Sequence, residues 1–260
     1  MPEQIWCIQN CRLFEQLSEA DLKFLEQQSR VRVFPGNSSV YFPHEAADTV
    51  LVLITGRIRL YSITPEGKQA ILAIIEPGEL FGELALVGSD VREEFAQAVG
   101  NSRVVAIPRD AMETVLLKNA KLSLAVTKFV GLRQRRLERR LKNLLFRSNR
   151  ERLLGLLSEL VEQYGRHVDE GLLIDIKLSH QDLAGLIGVT RESVTLALGE
   201  LQSERLITIG RQRIVILNEH KLALAAGQTI PPTKGTLETR KRTGDQASRI
   251  QKGRSYMIEF

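Results

Sequence analysis

Residues 179–217, SHQDLAGLIGVTRESVTLALGELQSERLITIGRQRIVIL, constrain this chain more than any other stretch. Ser179 followed three residues later by Asp182 has the spacing of a capping box, and Leu183, Leu186 and Ile187 then share one helical face. The pattern breaks at Gly188 and restarts at Thr190, a good N-cap, after which Val194, Leu198 and Leu201 recur at helical spacing. A helix, a tight turn and a second helix follow. Ala184 supplies a small residue where the helices cross, Gly188 a residue free to take positive φ, and Val194 an apolar plug. ERLITI, Gly210 and RQRIVIL then predict a two-stranded wing with Arg211 and Arg213 at its tip.

Upstream, the texture from Val31 to Ile107 is short apolar runs punctuated by turn residues: VLVLI at 50–54, RIRLYSI at 57–63 and AILAII at 70–75, separated by Gly36, Gly56, Pro65 with Gly67, and Pro77 with Gly78. This spacing predicts a small antiparallel roll or barrel, and the alternation from Arg57 to Tyr61 a strand with one wet face. Ahead of it, a short apolar helix precedes a second helix opened by Ser18 and Asp21. From Arg109 the pattern turns helical for about fifty residues. Val126, Val130, Leu137, Leu141 and Leu144 lie near one stripe, with Phe129 beside it and arginines on the other faces. Packing against a second copy of the same helix is favoured over burial of that stripe on its own domain. A further helix, Glu151 to Tyr164, leads to a strand-like LLIDIK at 172–177. A short helix runs to Ala226, and beyond it a basic tail reads as disordered.

The 260 residues, 43% hydrophobic, allow two domains with cores of their own, and the net charge of +5 is unevenly spread. Residues 1–127 hold 12 Lys and Arg against 16 Asp and Glu, the remainder 24 against 15. An acidic N-terminal module joined to a basic C-terminal one points to a polyanion partner for the latter. No stretch is apolar enough to span a membrane, and MPEQIWCIQNC has no signal-peptide character, so a cytoplasmic location is expected without membrane contact. No Walker loop, G-x-S-x-G elbow, H-E-x-x-H or zinc spacing occurs, which argues against an enzyme.

The order of these parts resembles the CRP/FNR family of bacterial transcription regulators, over roughly residues 12–218 and most specifically at GELFGELALV (78–87), NLLF (143–146) and HQDLAGLIGVTRESV (180–194). The resemblance implies an α+β chain: a jelly-roll-like double-stranded β-helix as sensor (1–117), a dimerisation helix (118–147), a winged helix-turn-helix domain (148–226) and a basic tail (227–260). It further implies a homodimer that binds a pseudo-palindromic operator in double-stranded DNA and contacts RNA polymerase. Arg191 is placed to meet guanine O6 and N7, and Glu192 to accept from a cytosine amino group. Thr195 can touch a thymine methyl or a phosphate. Thr190 joins them at the helix start, while Ser179, His180, Gln181 and the wing arginines resemble the family's backbone-contacting positions. Leu196 stands where cAMP-responsive members usually carry a second arginine.

For an effector, Gly82, Glu83 and Leu84 match the family's cyclic-nucleotide motif, and Arg92 matches its phosphate-gripping arginine after a one-residue insertion. Glu93 and Glu94 replace small hydroxyl residues there, and Leu137 and Glu138 fall on the adenine-reading positions. cAMP is therefore disfavoured against another small effector or an ungated protein, and Arg92 could pair instead with Glu83 across the roll. Two cysteines are too few for an iron-sulfur cluster, and Cys7 and Cys11 read as buried thiols. His44 is isolated and better suited to a turn than to haem; His167 and His220 lack ligand spacing. An alternative reading keeps the roll as a sensor that regulates a partner protein, with the winged helix as an interaction module. It differs in predicting little affinity for DNA.

Overall fold

A computed structural model of the chain describes residues 11, 13–210 and 213–225. The expected N-terminal apolar helix, Cys7, Arg211 and the tail at 227–260 lie outside them. The chain divides into two compact units, residues 1–153 with 177–199 and residues 154–176 with 200–260.

In the first unit, helix α1 (Glu19–Gln28) is capped by Ser18, whose Oγ accepts from the Asp21 backbone N–H at 3.1 Å. Eight strands follow: β1 (Arg30–Phe34), β2 (Ser39–Tyr41), β3 (Thr49–Thr55), β4 (Ile58–Ile63), β5 (Gln69–Ile75), β6 (Leu80–Phe81), β7 (Phe95–Ala98) and β8 (Ser102–Pro108). They form two four-stranded antiparallel sheets, ordered β1-β8-β3-β6 and β2-β7-β4-β5. A 3-10 turn, Glu83–Val87, follows β6.

The continuous apolar run of β3 has a direct explanation. Leu51 and Leu53 face the other sheet, in a core with Ile58, Leu60, Ile75, Phe81 and Ala96. Val50 and Val52 belong to a second core with Phe14, Leu25, Met112, Val115 and Leu122 from the flanking segments and helices. A strand covered on both faces loses the polar alternation of a half-exposed one. In β4 the expected alternation ends at a bulge between Leu60 and Tyr61, and both residues are buried.

The long helical region is interrupted. Helix α2 (Arg109–Lys118) ends at Asn119, whose side chain caps α3 (Ala120–Phe146) by accepting from Leu122 N–H at 3.0 Å. Arg147 and Ser148 break the helix again, and Ser148 Oγ and the Glu151 carboxylate cap α4 (Asn149–Tyr164) reciprocally. At one end of the α3 stripe Val126 and Phe129 pack, partly buried, against the roll's own helix-side core. Val130, Leu137, Leu141 and Leu144 remain exposed.

The second unit carries a four-stranded sheet, built from β9 (Gly165–Val168), β10 (Gly171–Ile174), β11 (Ile207–Gly210) and β12 (Arg213–Ile216) in the order β11-β12-β10-β9. The LLIDIK run thus ends as strand at Ile174, and Asp175 turns back to donate its N–H to the Tyr164 carbonyl at 2.9 Å. The wing hairpin forms with Gly210 opposite Arg213. The helix-turn-helix consists of α5 (His180–Ile187) and α6 (Arg191–Ser203), and a short α7 (Glu219–Ala225) ends the described chain. Among the described residues no helix is long and apolar enough to cross a membrane.

Candidate DNA-binding surface and effector pocket

The helix pair is held by caps that its sequence encodes. Ser179 Oγ accepts from the Asp182 N–H at 3.1 Å, and the Asp182 carboxylate accepts from the Ser179 N–H at 2.9 Å. Helix α5 closes on Gly188 at φ 68° and ψ 40°, a left-handed conformation that glycine adopts without a Cβ penalty. Val189 then donates to the Ala184 carbonyl at 3.1 Å, which sets the tight turn. Thr190 Oγ1 accepts from the Ser193 N–H at 3.2 Å and starts α6. Ala184, Val194 and Leu198 are buried, leaving Arg191, Glu192, Thr195, Leu196 and Gly199 as an exposed stripe along α6.

The electrostatics of that stripe begin at its N-terminus. The Glu192 carboxyl lies below the usual carboxylate range, chiefly because it accepts its own backbone N–H, and also because Thr190 bonds it and Arg191 is adjacent. It is therefore an anion that only accepts hydrogen bonds at neutral pH. Thr195 Oγ1 donates to the Arg191 carbonyl at 2.9 Å and meets His180 Nδ1 at 2.9 Å, bringing together two residues singled out on separate helices. Ser179 is committed to its cap and Gln181 is exposed. In the second unit Arg213 reaches Glu170 at 3.5 Å with both side chains about half exposed.

Sequence reasoning missed how α5 is held. Arg59 of β4 donates to the Asp182 carboxylate at 2.5 Å and to Gln97 Oε1 at 2.7 Å, so the wet face of β4 is covered in part by α5. Beside it, a Cβ on Gly185 would meet the Ile71 side chain at 3.0 Å. Nothing in a period-2 or period-3.6 pattern signals a pair separated by more than a hundred residues.

In the roll, the nucleotide-motif residues are bonded to one another's neighbours. Arg92, 5% exposed, donates to the Gly82 carbonyl at 3.1 Å and to the Thr49 carbonyl and hydroxyl at 2.6 and 3.0 Å. Its guanidinium also lies 4.6 Å from the centre of the Tyr41 ring. The suggested Arg92–Glu83 pair does not form. Glu83 instead accepts from Arg133 of α3 at 2.6 Å, and Arg133 also donates to the Leu80 carbonyl at 2.8 Å. Tyr41 donates to Glu94 at 2.6 Å, and burial together with that carboxylate pushes its phenol well above its ordinary value. Glu93 and Leu84 are exposed. Thr49, Tyr41 and Arg133 carried no sequence signal, since each acts through a fold-level contact.

The other candidate groups are structural in their surroundings. His44 takes φ 69° in a turn and donates its N–H to the Arg92 carbonyl at 2.8 Å. Cys11 is buried, with its thiol against the Gly78 carbonyl at 2.9 Å. No cluster of His, Cys, Asp and Glu among the described residues has a metal-binding arrangement.

A two-sheet roll, a long helix with an exposed apolar stripe and a winged helix-turn-helix define a DNA-binding regulator with a sensor-type domain. Residues 31–119 match the cyclic nucleotide-binding domain and residues 151–225 the Crp-like helix-turn-helix domain. The chain is 34% identical over 192 residues to the transcriptional regulator SdrP of Thermus thermophilus, covering 72% of this chain and 86% of that one. It is 30% identical over 188 residues to the global nitrogen regulator of a Nostoc species, covering 72% and 84% respectively. The fold is shared with CooA of Carboxydothermus hydrogenoformans, at a TM-score of 0.71 and 19% identity over 87% of this chain and 97% of that one. The chain belongs to the CRP/FNR family and is a transcription regulator with a helix-turn-helix DNA-binding domain.

The cyclic nucleotide named by the first matched domain does not fit the residues present here. Arg92 already donates to two carbonyls and a hydroxyl, Glu83 is neutralised by Arg133, and the Glu94 carboxylate lies against Tyr41 beside them. A cyclic phosphate would have to displace bonded oxygens and sit close to an anion.

Proposed function

We propose that the protein works as a homodimer, reading a two-fold operator with α6 in the major groove and recruiting RNA polymerase in the cytoplasm without a cyclic nucleotide. The observation that carries this reading is the exposed start of α6. A capped helix end presents Arg191 and Glu192 side by side, one a bidentate donor and the other an obligate acceptor. Arg191 meets guanine, Glu192 a cytosine amino group, and Thr190, Thr195, His180 and Gln181 fix the backbone register, with Ser179 contributing through the cap that holds α5. Arg213, and with it Arg211, serves phosphates from the wing. The exposed part of the α3 stripe, Val130, Leu137, Leu141 and Leu144, is the dimer seam, because a lone helix leaves it in water. On this reading the roll comprises residues 1–117, the dimer helix 118–147, the DNA-binding domain 148–226 and the tail 227–260, and Gly82, Glu83 and Arg92 act as internal bracing while Leu84 stays exposed.

The test is selection of bound duplexes from a random pool with the full chain, followed by titration of the selected site. Wild type is expected to yield a palindromic consensus. Arg191→Ala is expected to weaken binding to the consensus by about 1–3 kcal/mol and to relax preference at one base pair per half-site. An equal loss on all sequences refutes base reading by Arg191.

A further inference from the structure

The exposed stripe of α6 does not end at its charged start. Leu196 is 71% exposed, in line with Arg191, Glu192 and Thr195, whereas Val194, Ala197, Leu198 and Leu201 on the opposite side are buried. Its position continues the face that meets DNA and departs from the apolar face of the same helix. A second, independent feature lies one turn on. Gly199 occupies the helix interior, where glycine costs about 1 kcal/mol relative to alanine. Neither packing nor backbone conformation asks for it: a Cβ there would meet nothing within 4 Å, and its φ is not in the left-handed range. A glycine with no reason inside the chain permits close approach from outside it.

We propose that Leu196 is a specificity-determining residue that reads the C5-methyl group of a thymine, with Gly199 letting the α6 backbone come close to the same groove wall. This rests on the DNA-binding reading above. The chemistry leaves one base. Leucine neither donates nor accepts a hydrogen bond, and among the four bases the major-groove edge of thymine alone carries an apolar group. Five residues at 1.5 Å rise put Leu196 about 7.5 Å along the helix from Arg191. The thymine therefore lies about two base pairs from the guanine that Arg191 meets, at the roughly 3.4 Å step of one strand.

The experiment starts from the selected operator and replaces each half-site thymine, one at a time, with uracil, which removes the methyl group and leaves every hydrogen-bonding atom. Wild type is expected to lose about 3- to 10-fold in affinity at one symmetry-related pair of positions. Leu196→Ala is expected to bind the thymine and uracil sites equally, and Leu196→Met to retain the difference. Gly199→Ala is expected to raise the melting temperature while weakening operator binding at least 5-fold. Uracil tolerated at every position, or a Leu196→Ala variant as methyl-sensitive as wild type, overturns the assignment of Leu196. Unchanged operator affinity in Gly199→Ala removes the close approach. If no duplex is selected at all, the DNA-binding reading itself falls and this one with it, an outcome distinct from binding without methyl sensitivity.

Discussion

Arg59 on the fourth strand of the roll and Asp182 in the first turn of the helix-turn-helix form an ion pair at 2.5 Å, with both side chains about four-fifths buried. The same carboxylate accepts from the Ser179 N–H and hydroxyl, at 2.9 and 2.6 Å, so one group both caps α5 and holds it against β4. Removing Arg59 leaves the capping box intact, whereas removing the Asp182 side chain loses the ion pair and the carboxylate half of the box together, the Ser179 Oγ bond to the backbone N–H remaining. Arg59→Ala is expected to cost about 1–2 kcal/mol in urea unfolding, and Asp182→Ala about 2–4 kcal/mol. The double variant should cost less than the sum of the two, with a coupling of about 1 kcal/mol or more. Strict additivity would mean that the pair contributes nothing.

The buried guanidinium of Arg92 is treated by the fold as structure. Arg92→Ala strands the Gly82 and Thr49 carbonyls and opens space beside Tyr41, so a loss of about 3–5 kcal/mol is expected. Gly82→Ala should also destabilise, because its φ is +67° and a Cβ would lie 2.5 Å from Arg92 Nη1. Added cAMP is expected to leave the melting temperature of wild type unchanged. A rise of several degrees at millimolar cAMP would show that the internal bonds give way to a ligand.

These two networks also mark where the sequence stops being legible. Ser179, Asp182, Gly188 and Thr190 announce their roles because caps and left-handed turns depend on residues three to five apart. The strand core was readable at β3 as a continuous apolar run, since successive buried residues of β3 and β8 join two different cores and neither face is left polar. Arg133 with Glu83 and Arg59 with Asp182 are joined across 50 and 123 residues, and no local pattern encodes such a meeting. The α3 stripe was visible as one apolar face. Its division into Val126 and Phe129, which pack on the roll, and Leu137, Leu141 and Leu144, which stay exposed, depends on where the roll ends.

That division gives a prediction for assembly. Thr127, Val130, Gln134, Leu137, Leu141 and Leu144 follow alternating steps of three and four, the spacing of a two-helix seam, and the leucines among them are exposed. Leu141→Glu would put like charges opposite each other at that seam. The variant is expected to sediment as a monomer with its melting profile little changed, and to lose operator affinity by at least 100-fold. A dimeric Leu141→Glu protein would mean that the copies meet elsewhere.

The thiol of Cys11 yields a chemical prediction. Desolvation by burial is the largest influence on it and raises its pKa above 9.0; a bond from the Leu13 backbone lowers it, and nearby Glu15 raises it. Only the thiolate attacks alkylating reagents, so the native chain should react slowly. With Cys7 replaced by serine to leave one thiol, iodoacetamide at pH 8.5 is expected to modify the folded protein at least 100-fold more slowly than the urea-unfolded chain. The same shift has a stability consequence with a definite sign. A group whose pKa is raised on folding supports the fold fully below its unfolded value and loses that support as pH climbs toward the folded value. Stability should therefore decline from about pH 9 upward, and the decline should be shallower in Cys11→Ala. Equal alkylation rates in the folded and unfolded chains would place the thiol in water and remove both expectations.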